Sequence, residues 1–327
     1  MAKTTQEISK ENLILFDWLT FTSHCDSPES VMELLGLSHI TWQQMPRGRN
    51  GYRQRYYFEN ISILYDGADN MGVCVDMSGT GCRAYETYST TGWNSLLRQL
   101  HDAPEDYNIT RLDMAFDDHT GILDIDVLRD DTDDHHYVSR SRSWKVEYGS
   151  AGTTIYHGSP KSNMYIRIYD KAAEQAAKSE DPRALEDVHW IRVEMQMRDE
   201  IALGFVNGLM INPVGVQFRG VLHNYLRYVV PTDDTNMSRW GMALYWAELL
   251  EGVGKIRCWS APGEAYTIWN LSNYVINQAG NALDVYIRIF GQEDLIRELG
   301  KRAVNMSPKY LRLLAKYERL KKEVQNE

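Results

Sequence analysis

No apolar run in this 327-residue chain approaches the ~18 residues that a helical membrane span requires. Cysteine is scarce. Cys25, Cys74, Cys82 and Cys258 are the only four, and no CxxC spacing occurs among them. They fit reduced, buried thiols in a cytoplasmic protein and speak against a thiol-ligated zinc site. The N-terminus, Met1 to Asn12, lacks the basic and apolar regions of a signal peptide and the Arg-rich amphipathic character of a transit peptide. Positive charge is also short: 35 Lys and Arg stand against 45 Asp and Glu, a net charge of −10. That balance argues against general nucleic-acid affinity, which wants clustered cations. The charge is uneven, however. Eight aspartates between Asp117 and Asp134 face a single Arg129, whereas Lys301 to Glu327 carries eight Lys or Arg against three Glu. An acidic bulk with a basic tail stays compatible with a DNA enzyme.

What is present is an ordinary globular composition, 43% hydrophobic and 24% charged, long enough for two domains. Leu13 to Thr22 reads as a first strand, with Phe16, Trp18 and Thr20 on one face and Asp17, Leu19 and Phe21 on the other. A short helix over Ser27 to Gly36 follows, then a β-meander from Tyr52 to Asp76 and a glycine loop from Met77 to Arg83. Helices are expected over Gly92 to His101, around Asp124 to Leu128 and from Asp170 to Lys178. Lys145 to Tyr169 reads as strands turning at Gly149–Gly152 and Gly158–Pro160. Beyond Pro213 the pattern becomes helical, with one helix over Ser238 to Leu250 behind a serine cap and another opened by Ser307-Pro308. The expected division is a flexible 1–12, an α+β unit at 13–212 built on an antiparallel sheet with flanking helices, and a mainly helical 213–327.

Three stretches share one design. Strand side chains alternate faces. In Met164 to Lys171, Tyr165, Arg167, Tyr169 and Lys171 lie opposite Ile166 and Ile168. In Thr110 to Asp117, Arg111, Asp113 and Asp117 oppose Leu112, Met114 and Phe116, and in Trp190 to Arg198, Arg192, Glu194, Gln196 and Arg198 oppose a face of Ile, Val and Met. If the three are neighbours in one sheet, one face packs the core while the other gathers a tyrosine, carboxylates and fixed cations. That inventory suits chemistry on a phosphodiester. A phenol with a pKa near ~10 attacks phosphorus poorly unless cations or a metal favour the phenolate. Asp113, Glu194 and, by parity, Asp117 have the hard-oxygen character that holds Mg²⁺ or Mn²⁺. The competing reading is a ladder of cross-strand ion pairs, each worth little at a surface. Asp118 points away by parity, His135-His136 reads as a solvated loop, and Ser78-Gly-Thr-Gly81 is a weak phosphate-cradle signal. Six cations from Lys309 to Lys322 leave phosphate contact open for the final helix.

Arg111-Leu-Asp-Met-Ala-Phe-Asp117, Arg167-Ile-Tyr-Asp-Lys171 and Trp190-Ile-Arg-Val-Glu194, in this order, resemble motifs of the replication initiation factor family of rolling-circle plasmids. Related phage-type initiators and relaxases of Gram-positive integrative conjugative elements fall in the same group. Asp17 to Thr22 and Ser78 to Cys82 are similar to its N-terminal motifs, so the resemblance covers roughly residues 13–200. It implies a metal-dependent tyrosine nickase acting on single-stranded or hairpin origin DNA. Tyr169 matches the nucleophile and would leave a 5′-phosphotyrosine bond and a free 3′-OH; Asp113 and Glu194 match the acidic positions and are carried over as ligands of Mg²⁺ or Mn²⁺. Arg167, Lys171 and Arg192 are assigned to phosphate and tyrosinate stabilisation from face parity. The resemblance also implies a UvrD-like host helicase, action as a dimer, and a C-terminal region serving origin specificity or dimerisation. Two rivals stand beside it: a metal-dependent hydrolase using water, and an origin-binding protein without catalysis.

Overall fold

The computed structural model describes residues 11–149, 152–179, 182–185, 187–256, 258, 271, 275, 279–302, 306, 310–311 and 314. Its strands are β1 (Leu13–Ser23), β2 (Gln43–Met45), β3 (Gln54–Phe58), β4 (Ile61–Tyr65), β5 (Val73–Met77), β6 (Tyr107–Asp118), β7 (Tyr137–Ser139), β8 (Trp144–Gly149), β9 (Gly152–His157), β10 (Met164–Asp170), β11 (Ile191–Arg198) and β12 (Leu226–Tyr228). Helices α1 (Pro28–Leu34), α2 (Gly79–Tyr88), α3 (Trp93–Asp102), α4 (Ile125–Asp133), α5 (Lys171–Ala176), α6 (Asp199–Leu209), α7 (Val214–Tyr225), α8 (Leu244–Leu250), α9 (Gly280–Phe290) and α10 (Gln292–Arg302) are interspersed. The fold is α+β.

Ten strands form one sheet in the order β2-β3-β4-β5-β1-β6-β11-β10-β9-β8, and β12 pairs with β7 in a second, small one. Every pairing is antiparallel. The three patterned stretches are β6, β11 and β10, side by side at the centre. Their apolar faces, among them Leu112, Met114, Phe116, Ile166, Ile168, Val193, Met195 and Met197, are buried with the helices in one cluster. Burying such side chains contributes roughly 1.5–3 kcal/mol each, so the parity of these strands is strongly fixed. Phe218 of α7 and Trp246, Leu249 and Leu250 of α8 belong to that same cluster. No described helix is long and apolar enough to cross a membrane.

The structure corrects four local expectations. In β1 the register slips between Phe16, opposite Met114, and Trp18, opposite Asp113, leaving Asp17 as an extra residue. Such a β-bulge inverts parity beyond it. Phe16, Leu19 and Phe21 therefore share the core, and Trp18 and Thr20 join the polar face. The glycine stretch is the first turn of α2, capped at Ser78; a Cβ on Gly81 would lie 2.5 Å from the Asn60 carbonyl, so glycine lets the helix press against the sheet. The helix expected from Ser238 begins only at Leu244, because Asn236 caps a separate 3₁₀ turn over Met237–Arg239 and the chain is extended at Trp240 and Ala243. Cys25 is exposed, whereas Cys74 and Cys82 are buried. The helix expected after Ser307-Pro308, with the cations placed on it, lies mostly outside the described residues.

Candidate active site

Register alone sets out the polar face. Tyr169 lies opposite Arg192, which lies opposite Asp117; one step along, Arg167, Glu194 and Ala115 form the next row. The third row is Tyr165, Gln196, Asp113 and, on β1, Trp18. Seven of the eight residues of β11 are buried, polar ones included, because it is flanked on both sides.

Tyr169 donates toward Glu194, its hydroxyl 3.4 Å from Oε2. Glu194 is only 1% exposed and is also paired with Arg167. Burial, and then the charge of Glu194, push the Tyr169 phenol far above the ordinary phenol range. Arg192 opposes that shift. The Lys171 ammonium stands 5.5 Å from the Tyr169 ring centre. Lys171 is not a strand residue as parity suggested. Asp170 ends β10 and caps α5, its carboxylate accepting from Ala173 N at 2.8 Å, so Lys171 opens the helix. One turn on, Glu174 pairs with both Lys171 and Lys178. Burial works against ionising Glu174, yet the two ammonium groups outweigh it and hold the carboxyl down at about 2.

Arg192 is committed elsewhere. Its guanidinium grips Asp117 in a fork, Nε to Oδ1 at 2.6 Å and Nη2 to Oδ2 at 2.7 Å, and donates to Asp17 Oδ1 at 3.0 Å. The structure thus separates Asp117 from the other two carboxylates expected to share a metal. Asp117 is 2% exposed and saturated by the fork, a geometry that favours a buried ion pair over a ligand. Asp118 has a structural task on the other side: it accepts from Thr120, Gly121 and Leu123 amides and from His189.

Asp113 and Glu194 do stay together, as diagonal neighbours whose charges raise the proton affinity of Asp113. Burial is the larger cause; against the pull of Arg111, it lifts the Asp113 carboxyl to about 6. Arg111 Nε lies 2.9 and 3.2 Å from the two Asp113 oxygens, and its guanidinium sits 4.0 Å from the Trp18 ring centre. Among the described residues no three His, Cys, Asp or Glu side chains assemble with metal-ligand spacing. Two carboxylates nevertheless meet the usual need of Mg²⁺, which takes one or two from protein and the rest from water and phosphate. Ala115 lies directly across from Glu194, between Asp113 and Asp117 on its own face. The Nε2 of Gln196, across from Asp113, is buried without a hydrogen-bond partner; as a donor it suits a phosphate oxygen and not a cation. His135 and His136 lie after α4, away from these strands, with His136 bonded to Asp131.

Asp17 and Glu174 escaped sequence reasoning. Asp17 reaches the site because of the bulge, and no strict alternation predicts a bulge. Glu174 had a usable signal: it stands three residues after Lys171 and four before Lys178, the spacing of helical ion pairs.

Comparison with known proteins follows the same lines. Residues 107–299 match the family model described as replication initiation factor, and residues 13–99 match that of the rolling circle replication initiation protein N-terminal domain. A Bacillus subtilis (strain 168) protein named as a DNA relaxase, NicK, is 29% identical over 258 residues, 75% of this chain and 72% of that one. The structure of a rolling circle replication initiator protein from Geobacillus stearothermophilus superposes with a TM-score of 0.65 at 28% identity, covering 76% of this chain and all of the other. With the first model spanning more than half its length and the central strands carrying the motifs, the chain belongs to the replication initiation factor family of rolling-circle initiators and relaxases.

Proposed function

We propose that this protein nicks and rejoins one strand of DNA at an origin, single-stranded or extruded as a hairpin, with Tyr169 as nucleophile. The observation that carries this reading is the Tyr169 hydroxyl aimed at a buried carboxylate, Glu194, in a ring of cations. The Tyr169 oxygen attacks phosphorus and gives its proton to Glu194, the acceptor 3.4 Å away. The phosphorus–O3′ bond breaks, leaving a 5′-phosphotyrosine and a 3′-hydroxyl. The 3′-oxygen attacks in return when the strand is rejoined, so no energy source is needed. Lys171 and Arg167 face the growing negative charge. Arg192 contributes less directly, by holding Asp117 and Asp17 and so fixing the floor under Tyr169.

Asp113 and Glu194 would hold Mg²⁺ or Mn²⁺, whose charge would offset that of Glu194 and polarise a phosphate oxygen. The same proposal includes a UvrD-like host helicase and a second copy of the chain as partners. It divides the work between a nickase unit at 13–212 and a helical 213–327 for origin specificity or dimerisation.

The test uses Mn²⁺, labelled hairpin oligonucleotides and denaturing gels. A covalent protein–DNA band that disappears with EDTA is expected. Cutting with no such band would move the mechanism to attack by water and sink the tyrosine reading.

Metal binding should also depend on pH with a definite sign. The folded Asp113 carboxyl lies near 6, above its ordinary 3.8, so the fold binds the proton more tightly than the unfolded chain. Without metal this group therefore costs stability progressively as pH rises from 3.8 to about 6. A cation needs the ionised form. The rise in melting temperature caused by Mn²⁺ should be several degrees at pH 7.5 and shrink toward zero at pH 5. Asp113→Asn should lose the rise at both. An equal Mn²⁺ effect at the two pH values in wild type would place the ion elsewhere.

A further inference from the structure

One cavity of the described structure stands apart from the polar face of the large sheet. It measures about 460 Å³ and is lined by the end of β7, the last turn of α7 and β12, with Arg140, His223, Asn224, Tyr225, Arg227 and Lys255 among its residues. The lining holds three permanent cations and no carboxylate, in a chain of net charge −10. Arg140 donates to Asn224 Oδ1 at 3.0 Å and lies 5.8 Å from the Tyr225 ring centre. Among the described residues Arg227 donates to the carbonyls of Trp240 and Ser238, and its Nε is buried with no partner. The contrast with the active site is direct: there Arg111, Arg167 and Arg192 each meet a carboxylate. Cations held by neutral dipoles keep their field, and a low-dielectric wall focuses it.

The positive surface runs on from the cavity. Exposed Arg142 follows Arg140 in the loop to β8; that loop bonds the turn after β9, Gly158 N to Ser143 O at 2.8 Å, and exposed Lys161 lies three residues further. An enclosed pocket would suit a small free anion. A cavity with two further exposed cations in the adjoining loops suits a chain of evenly spaced phosphates.

We propose that this surface binds backbone phosphates of duplex DNA beside the nicked strand, with Arg140, Arg227 and Lys255 as the contacts in the cavity. The proposal rests on the DNA reading of the active site but does not use its residues. Its role is positioning: phosphate contacts fix where the protein sits without reading sequence.

The experiment measures binding of a fluorescent duplex oligonucleotide by the full-length protein across a salt series in EDTA, where no cutting occurs. Wild type is set beside Arg140→Gln/Lys255→Gln, with Arg98→Gln, an exposed cation on α3, as control. Each lost phosphate contact lowers the log–log salt slope by about 0.9. The double variant should therefore lose about 2 from the slope and bind roughly ten-fold more weakly at low salt, with the control unchanged. A salt slope in the double variant unchanged from wild type would overturn the proposal. So would a melting temperature raised by inorganic phosphate in wild type and not in the double variant while the DNA slope stays the same, since that assigns the cavity to a small anion. The covalent band on a short hairpin, measured with Mn²⁺, is read separately. Its presence in the double variant together with weaker duplex binding supports the proposal, and its absence from wild type would count against the nickase reading and not against this surface.

Discussion

Tyr169→Phe should abolish the covalent protein–DNA band and leave the protein folded. Removal of a covalent nucleophile reduces turnover by a factor on the order of 10⁴ or more. The cost to the fold is small because the lost hydrogen bond is long, 3.4 Å to Glu194, and such a bond is worth ~0.5–1.5 kcal/mol at most. The melting temperature should move by no more than about 6 °C, given ~2–4 °C per kcal/mol for a domain of this size. The change also removes the proton that Glu194 would receive, so raising the pH should not rescue it. Retained banding in Tyr169→Phe would falsify the assignment and point to one of the chain's other tyrosines. A fall in melting temperature of more than about 10 °C would mean that the hydroxyl supports the fold, contrary to the small cost expected of one hydrogen bond.

The second large effect is on stability. Arg192→Met should lower the melting temperature on the order of 10 °C. Asp117 and Asp17 share this one guanidinium, and Asp117 is 2% exposed. Stripping the partner from a buried carboxylate costs ~3–5 kcal/mol, because the charge stays desolvated without compensation. Arg192→Lys should recover only part, since an ammonium cannot make the two-pronged contact with Asp117. The double change Arg192→Met/Asp117→Leu should recover most of the loss, because it removes the stranded charge along with its partner. Thermal unfolding of the four proteins checks this. If Arg192→Met melts within a degree or two of wild type while strand joining collapses, the arginine acts on the phosphate and not as a framework for the carboxylates.

The sequence by itself determined the centre of this protein. Strict alternation in Thr110–Asp117, Met164–Asp170 and Ile191–Arg198 allows one arrangement in which all the apolar side chains are buried, and the structure adopts it as β6, β10 and β11. A slip of one residue would have put Met114, Ile166 and Val193 on the polar face, which fixes the parity and with it Tyr169, Asp113 and Glu194 on one side. Local rules also gave the helices that start near Ser27 and Asp170 and the glycine turns between β8, β9 and β10.

Tertiary structure decided how the polar side chains divide among one another. Face parity places Asp113, Asp117 and Glu194 on the same surface but is silent on which cation each will meet. The strand order settles that, by setting Arg192 opposite Asp117 and Ala115 opposite Glu194. The bulge at Asp17 was equally invisible: an extra residue in β1 is tolerated because its carboxylate finds Arg192, a residue 175 positions away. Lys171 left the strand because Asp170 could cap a helix. The bulge and the Arg192–Asp117 pairing were decided by partners distant in sequence, whereas at Lys171 one local rule, the Asp170 cap, overrode another, the strand alternation.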